Sequence, residues 1–177
     1  MSTARKLLTF LFVVAFLIGV VDNFSLNLAK PVPVIKLSQT QTEKLVETVP
    51  DRLTIPDLGI DVSVAKSNIV NGYWEVFNDK AGWGDQSGYP GFAGNQVIFA
   101  HARKGLFLNL KQITKGMIVK VYTEEVEYDY KVVDIKSVFP NDLSVIAPTA
   151  DETLTLYTCT DTNDIKRLVV IAKRVLI

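Results

Sequence analysis

One cysteine and one histidine occur in the chain, and these two residue types can together form a cysteine acyl-transfer site. Cys159 ends the alternating run 155–159 (TLYTC), and Arg167 begins a second strand-like run after a polar loop. A catalytic cysteine needs a cationic setting or a proton-accepting neighbour, because the thiolate is the attacking form. His101 can accept and return a proton, and the Arg167 guanidinium can donate hydrogen bonds to a developing oxyanion. The three residues therefore predict acyl-transfer chemistry.

This chemistry requires strands that bring the three side chains to one rim of the fold. His101 directly follows the apolar strand-like run 97–100, where a strand can deliver a side chain to a loop. The loop between Cys159 and Arg167 has about seven residues, which is short enough to join neighbouring strands. If those strands pair, Cys159 and Arg167 meet near the same rim.

Each of the three residues also has an ordinary structural interpretation. A single cysteine is most often a buried, inert thiol. A single histidine is more often structural than catalytic, and an arginine at the start of a strand is commonly solvated. Residue types alone leave these interpretations open beside the catalytic one.

The sequence offers no set of metal ligands, so neither a metal nor another cofactor is expected. One histidine and one cysteine cannot form a structural zinc site. Asp161, Asn163 and Asp164 alternate as in a calcium-binding loop, but the glycine and the distal glutamate of that motif are missing. These three residues are interpreted as a polar loop.

Composition indicates one ordinary globular domain and gives no electrostatic signal for a partner. The 19 Lys and Arg residues balance the 19 Asp and Glu residues. Without an excess of positive charge, no nucleic-acid partner is expected. A lone cysteine cannot form a disulfide within the chain, so disulfide bridges do not hold the domain together.

The N-terminus predicts a membrane segment. Residues 7–21 (LLTFLFVVAFLIGVV) contain Thr9 as their only polar residue and follow Arg5 and Lys6. Basic residues at this place keep the N-terminus in the cytoplasm and put the rest of the chain outside. We expect a retained signal anchor over residues 1–28, crossing the membrane once. A cleaved signal peptide and a buried helix of a soluble domain are the alternatives.

The segment after the predicted anchor has the composition of a linker. Residues 30–33 (KPVP) favour extended backbone, and the polar stretch 38–47 has little apolar surface to bury. An extracytoplasmic linker is therefore predicted over residues 29–50, and a globular domain over residues 51–177.

Short runs rich in β-branched and aromatic residues dominate that domain, as in an all-β fold. Alternation is clearest at residues 126–132, where Val and Tyr alternate with charged side chains. Eight strands are predicted, at residues 52–56, 60–64, 73–76, 96–100, 117–123, 126–132, 153–159 and 167–175. One helix is predicted at residues 105–113. The pattern favours a barrel or a sandwich.

A loop rich in aromatic residues is predicted at residues 82–94. It contains Trp83, Tyr89 and Phe92. These rings could line a substrate pocket or pack on the barrel, because aromatic side chains in loops serve both purposes. Packing is the favoured interpretation.

Several of these pieces occur in the order found in sortases, and the chain resembles that family over most of residues 52–175. The matching pieces are residues 52–60 (RLTIPDLGI), Pro90-Gly91 with Gly94-Asn95, His101 after a strand, Thr155-Leu156-Tyr157-Thr158-Cys159 as the TLxTC signature, and Arg167 at the start of the last strand. The TLxTC element with its downstream arginine is the specific part.

The resemblance implies a mostly β fold: a closed eight-stranded sortase-type β-barrel with one or two short helices, preceded by an N-terminal membrane helix. It also implies a cysteine transpeptidase. Cys159 would attack the Thr-Gly bond of an LPxTG-like sorting signal and form a thioacyl enzyme. His101 would protonate the departing amine and deprotonate the incoming one, and Arg167 would stabilise the oxyanion. Ala100 and Thr158 would contact the substrate.

The partners implied by the resemblance are surface proteins with a C-terminal LPxTG-like sorting signal and an amine acceptor, either a peptidoglycan precursor or a pilin lysine. The membrane is the third partner, through the N-terminal helix. The enzyme would be a single-pass protein of the cell membrane with its catalytic domain outside. Two alternatives remain: a sortase-like barrel that binds peptides without catalysis, and a tethered structural protein with a core thiol.

Two departures from the family pattern concern the predicted site. The family commonly has Gly-His-Arg or Gly-His at the histidine, whereas this chain has Ala100-His101-Ala102-Arg103. The loop between Cys159 and Arg167 is also short for the family, which leaves less wall for an acceptor. The sequence around Cys159, with a threonine on each side, favours a class D or E type.

Overall fold

The computed structural model describes residues 47–124, 126–160 and 165–176. The predicted membrane segment at residues 1–28, nearly all of the predicted linker, and the polar loop at 161–164 lie outside these ranges. Within the ranges, no helix combines the length and the apolar character needed to cross a bilayer.

Ten strands and three 3-10 helices occur in the described residues. The strands are β1 (Arg52–Ile55), β2 (Ile60–Ser67), β3 (Ile69–Val70), β4 (Tyr73–Trp74), β5 (Ala81–Gly84), β6 (Gly94–Phe99), β7 (Ile118–Tyr122), β8 (Glu127–Val138), β9 (Glu152–Cys159) and β10 (Arg167–Arg174). The 3-10 helices are η1 (Pro56–Leu58), η2 (Leu108–Gln112) and η3 (Leu143–Ile146). Strands therefore carry the fold.

Eight of the strands close into a barrel in the order β1-β2-β5-β6-β9-β10-β8-β7, and β7 pairs back to β1. The pairs β2–β5 and β6–β9 are parallel, and the other neighbours are antiparallel. Strands β3 and β4 form a separate two-stranded sheet. The prediction of a mostly β fold with a closed eight-stranded barrel is confirmed.

Apolar side chains that alternate along the strands fill the barrel. On β2, Ile60, Val62 and Val64 are buried while the residues between them are exposed or half-buried. On β8, Tyr130 and Val132 are buried in the same core. This two-residue period arises because successive side chains of a strand point to opposite faces. The alternation that predicted these strands therefore also identifies the core.

One predicted barrel strand is wrong. The run at residues 73–76 forms only the two-residue strand β4, which pairs with β3 outside the barrel. The barrel position belongs instead to β5, for which the sequence predicts no strand. On β5, Ala81 and Trp83 enter the core, while Gly82 and Gly84 occupy the outward positions. Glycine has low β-propensity, so the strand lacks the usual signature.

The ring of Trp74 on β4 packs directly against Gly84 on β5. A Cβ added at Gly84 would lie 2.5 Å from the Trp74 ring, which also stacks on Phe99 with centroids 5.6 Å apart. Gly84→Ala should therefore displace Trp74 and lower the free energy of unfolding by about 1–3 kcal/mol. Urea unfolding followed by circular dichroism measures this loss. The same change should cost much less in a Trp74→Ala background, and equal costs would contradict the contact.

The helix predicted at residues 105–113 forms turns followed by the five-residue 3-10 helix η2. A left-handed φ of 81° at Gly105 and an extended Ile113 lie at the two ends of this segment. These backbone conformations leave no room for a longer helix. The buried side chains of the segment, which pack on the barrel core, are Leu106, Phe107, Leu110 and Ile113.

The aromatic residues predicted in the loop at 82–94 mainly pack on the barrel. Trp83 is fully buried, and its ring lies 4.9 Å from that of the half-buried Tyr89. The Trp83 indole N–H also donates to the Gly88 carbonyl at 2.9 Å. Packing is therefore confirmed for Trp83 and Tyr89, and neither ring lines the apolar groove over Val97, Phe99 and Tyr157.

Candidate active site

Cys159 and Arg167 lie side by side on neighbouring strands. Cys159 is the last residue of β9, Arg167 is the first of β10, and the two are directly opposed in the antiparallel register. Thr160 closes the connection, since its N–H and its hydroxyl each donate to the Lys166 carbonyl at 3.1 Å. Cβ atoms of residues opposed in this way are about 4.5–5.5 Å apart. The pairing that the sequence left open is therefore present.

His101 stands on the other side of Cys159. Strand β6 runs parallel to β9, with Phe99 opposite Tyr157. The ladder continues past the end of β6, because the Ala100 N–H donates to the Tyr157 carbonyl at 3.3 Å. His101 and Cys159 each lie two residues beyond the Phe99–Tyr157 pair, so the parallel register, continued past β6, puts them level with each other. Three adjacent chain segments thus carry His101, Cys159 and Arg167 in that order across the sheet.

The three residues lie on the outer face of the barrel. Leu156 of β9 and Val170 of β10 belong to the core, and Cys159 and Arg167 lie an odd number of residues from them. Side chains at such positions face the opposite side of the sheet. His101 follows the core residue Ala100, so continued alternation places it on the same outer face.

Each of the three side chains is only partly covered. Cys159, His101 and Arg167 are all half-buried, whereas Leu156 and Thr158 on the same strand as Cys159 are 0% and 3% exposed. A partly exposed thiol can meet a substrate, but a fully buried one cannot. The exposure of Cys159 therefore disfavours the interpretation as an inert core thiol.

Ala100 and Thr158, the two predicted substrate-binding residues, contact each other. The Thr158 hydroxyl donates to the Ala100 carbonyl at 2.7 Å, and both residues are buried. Because they directly precede His101 and Cys159, this hydrogen bond fixes the spacing of the two strand ends. Their contact with substrate stays a prediction.

The chain around His101 is held by a tight turn. The His101 carbonyl accepts hydrogen bonds from the N–H groups of Arg103 at 2.9 Å and Phe107 at 3.1 Å. Phe107 and the neighbouring Leu106 are buried in the core, whereas Arg103 is exposed. Burial of two apolar side chains therefore anchors the turn that positions His101.

An apolar groove lies on the same outer face, beside the site. Its floor contains Val97 and Phe99 of β6 and Tyr157 of β9. Phe99 and Tyr157 lie two residues before His101 and Cys159 on the same two chain segments, so the floor is next to the site. The groove has a volume of about 180 Å³ and is mainly apolar.

Two walls enclose this groove. The first is the β3–β4 sheet, which contributes Tyr73 and Trp74. The second is the segment that leads into and forms η3, which contributes Pro140, Asp142 and Leu143. The two walls come from parts of the sequence about 70 residues apart, and only the closed barrel brings them to the same strands.

Asn95 holds the second wall in place. It is 4% exposed, and its side-chain amide donates to the carbonyls of Val145 at 3.1 Å and Ala147 at 3.0 Å. Its own oxygen accepts a hydrogen bond from Thr155 of β9 at 2.7 Å. This buried network connects the floor strands β6 and β9 to the wall that carries η3.

Asn95→Asp should loosen this wall, because a carboxylate cannot donate to the two carbonyls. A loss of roughly 2–4 kcal/mol in the free energy of unfolding is expected from two unsatisfied buried acceptors. Urea unfolding measures the loss. Asn78→Asp at an exposed position serves as the control and should change stability little; similar losses in both variants would contradict the anchoring role.

The sequence does not predict the groove, although strand alternation identifies two residues of its floor. Phe99 and Tyr157 share a strand face with the predicted catalytic residues, and alternation alone identifies them once His101 and Cys159 are chosen. No comparable signal marks Trp74, Asn95 or Asp142, because their roles depend on contacts between distant segments.

Comparison with known proteins agrees with the arrangement of these strands. A family model described as a sortase domain matches residues 53–175. The chain is also similar to sortase A of Bacillus anthracis, with 28% identity over 128 residues. That alignment covers 68% of this chain and 57% of the relative, so the chain spans little more than half of the relative's length.

Solved sortase structures share the fold. A Clostridium perfringens sortase D5 transpeptidase superimposes with a TM-score of 0.63 at 23% identity, covering 73% of this chain and 79% of that one. Sortase C2 of pilus island 1 from Group B Streptococcus gives a TM-score of 0.64 at 27% identity, covering 75% and 77%. Because the family match includes most of the chain and all eight barrel strands fall within or at its limits, this chain belongs to the sortase family.

Proposed function

We propose that this chain is a cysteine transpeptidase that uses Cys159 as its nucleophile. The observation that carries the proposal is the placement of His101, Cys159 and Arg167 on three adjacent segments of one outer face. A nucleophile, a proton carrier and a fixed cation in this order are the groups that acyl transfer through a thioester requires.

The proposed reaction has two steps. First, the Cys159 thiolate bonds to the threonine carbonyl carbon of the substrate, the C–N bond to the next residue breaks, and imidazolium of His101 gives its proton to the departing amine. Second, an incoming amine attacks the thioester carbon, the C–S bond breaks, and His101 takes a proton from the attacking nitrogen. The thiolate and imidazolium are restored, so the cycle closes without a cofactor.

Arg167 is proposed to stabilise the negative charge that develops on the carbonyl oxygen in both steps. Its guanidinium is always charged and presents several N–H donors in a fixed plane. Such donors act most strongly on charge that exists only in the transition state. The position of Arg167 directly opposite Cys159 in the register supports this role.

The proposed substrate is an LPxTG-like sorting signal at the C-terminus of a surface protein. The apolar groove supports this proposal, since its floor on β6 and β9 lies two residues before His101 and Cys159, where the residues before the scissile bond would bind. The acceptor would be an amine of a peptidoglycan precursor or a pilin lysine. The assignment to class D or E stays a prediction from the threonines beside Cys159.

A location at the cell membrane is part of the same proposal. The apolar segment at residues 7–21 would cross the membrane once, and residues 29–50 would link it to the catalytic domain outside. This arrangement would place the site beside sorting signals and amine acceptors at the cell surface. The sequence pattern of the N-terminus supports this location.

A peptide ligation assay tests the proposed function. The purified full-length chain is incubated with an LPxTG peptide and triglycine, and mass spectrometry follows the ligated peptide. We expect cleavage after threonine and joining to triglycine. Binding of the peptide without product over the same concentration range would instead support the alternative, a sortase-like barrel that binds peptides without catalysis.

A further inference from the structure

The groove carries one negative charge on an otherwise apolar lining. Asp142 is exposed on the wall formed by the η3 segment. Its Oδ1 accepts hydrogen bonds from the Ser144 N–H at 3.1 Å and the Ser144 hydroxyl at 2.6 Å. These two bonds hold the carboxylate at the start of η3, so its position relative to the groove is fixed.

The charge of Asp142 is not neutralised by an ion pair with any residue in the described ranges. Lys166 lies close to the segment before this wall, with its ammonium 5.4 Å from the centre of the Phe139 ring, but it forms no salt bridge with Asp142. The salt bridges of the described residues involve other carboxylates, among them Asp85 with Lys66. An exposed carboxylate without such a partner can interact with a cation from a ligand.

The opposite wall also favours a cation. Tyr73 is 79% exposed at the groove. Its neighbour Trp74 is fixed by the stack on Phe99 and by an indole hydrogen bond to the Asp85 carbonyl at 3.1 Å. Trp74 therefore anchors β4 beside the groove, and the face of the exposed Tyr73 ring can attract ammonium and guanidinium groups.

From these two walls we propose that the preferred substrate peptide carries a lysine or arginine beside the apolar residue that occupies the groove. The apolar floor takes the apolar side chain, and Asp142 and Tyr73 at the walls interact with the basic one. This inference rests on the proposed transpeptidase function and adds the charge of its substrate. Asp142 is then a specificity-determining residue, separate from the residues that perform the chemistry.

Two series of peptides test this preference on the full-length chain. One series places Lys, Gln or Glu at the x position of LPxTG, and the other places them before the leucine. In at least one series, kcat/KM should be roughly two- to five-fold higher for Lys than for Gln, and lower for Glu by a similar factor, as expected for exposed charge pairs. The preference should weaken in about 0.5 M NaCl.

Asp142→Asn is the decisive variant, because asparagine keeps the oxygen that caps η3 and removes only the charge. Its ratio of kcat/KM for the Lys peptide to kcat/KM for the Gln peptide should fall to about one, whatever its rate with the Gln peptide. Asp51→Asn is the matched control: it removes an exposed carboxylate next to β1, which lies opposite β9 in the barrel, and should leave the preference intact.

The possible results separate the two proposals. If no peptide, including the neutral ones, gives ligated product, the transpeptidase function fails. If the peptides react but Lys, Gln and Glu are equivalent in both series, or Glu is preferred, the charge proposal is overturned. A Lys preference that survives in Asp142→Asn would overturn the role of Asp142.

Discussion

Cys159→Ala should reduce the rate of peptide ligation to that of the uncatalysed reaction, a loss of at least about 10⁴-fold. Alanine has no nucleophile, so the thioester cannot form, and His101 and Arg167 have no intermediate to act on. The ligation assay with an LPxTG peptide and triglycine measures this loss. Ligation at the wild-type rate would rule out Cys159 as the nucleophile.

The same variant should fold normally. Cys159 is half-buried at the end of β9 and outside the core, so removal of its sulfur should change the free energy of unfolding by no more than about 1 kcal/mol. Circular dichroism during urea unfolding checks this expectation. A much larger loss of stability would mean that unfolding explains the inactivity. Cys159→Ser, which is closer in size and polarity, would then replace Cys159→Ala in the ligation assay.

Arg167→Lys should lower kcat for ligation by about 10²–10³-fold, the loss typical of an oxyanion donor. Lysine keeps the positive charge, but its compact ammonium cannot present the several coplanar N–H donors of a guanidinium. Because the proposed interaction strengthens in the transition state, kcat should fall far more than KM rises. Steady-state kinetics of ligation separate the two parameters.

Arg52→Lys is the matched control for this prediction. Arg52 lies on β1, on the opposite side of the barrel from β9, and pairs with Asp61 on the surface. The change from arginine to lysine is the same, yet the ligation rate should stay within about two-fold, since exposed ion pairs contribute little. A fully active Arg167→Lys variant would contradict the role of the guanidinium.

The barrel could largely be predicted because most strands are half-buried. Residues 126–132, for example, alternate between apolar and charged side chains, and β8 follows that pattern. Strand β5 could not be predicted, because its outward positions are glycines that make room for the rings of Phe99 and Trp74. The reason for those glycines becomes apparent only from the tertiary contacts.

Part of the candidate site could also be predicted from the sequence. Cys159 and Arg167 are close in the chain, so a short connection suffices to bring their strands together. His101 is 58 residues from Cys159, and its level position depends on the parallel register of β6 and β9. Residue type made His101 a candidate, but sequence alone does not give the register of a parallel pair that brings it beside Cys159.

The groove walls could not be predicted, since each forms from segments distant in sequence from the floor. Trp74 reaches Phe99 only because the β3–β4 sheet folds back over β5. The η3 wall is fixed by Asn95, whose amide joins a β6 residue to a segment 50 residues later. Local patterns contain no information on such long-range hydrogen bonds.

Mass spectrometry of the trapped enzyme can detect the proposed thioacyl intermediate on Cys159. The full-length chain is mixed with an LPxTG peptide without an amine acceptor, quenched in acid, digested and mapped. We expect an acyl group, ending at the threonine, on the peptide that contains Cys159, and we expect hydroxylamine to remove it. An unmodified Cys159 in samples that have cleaved the substrate, or an acyl group on another residue, would show that Cys159 is not the nucleophile.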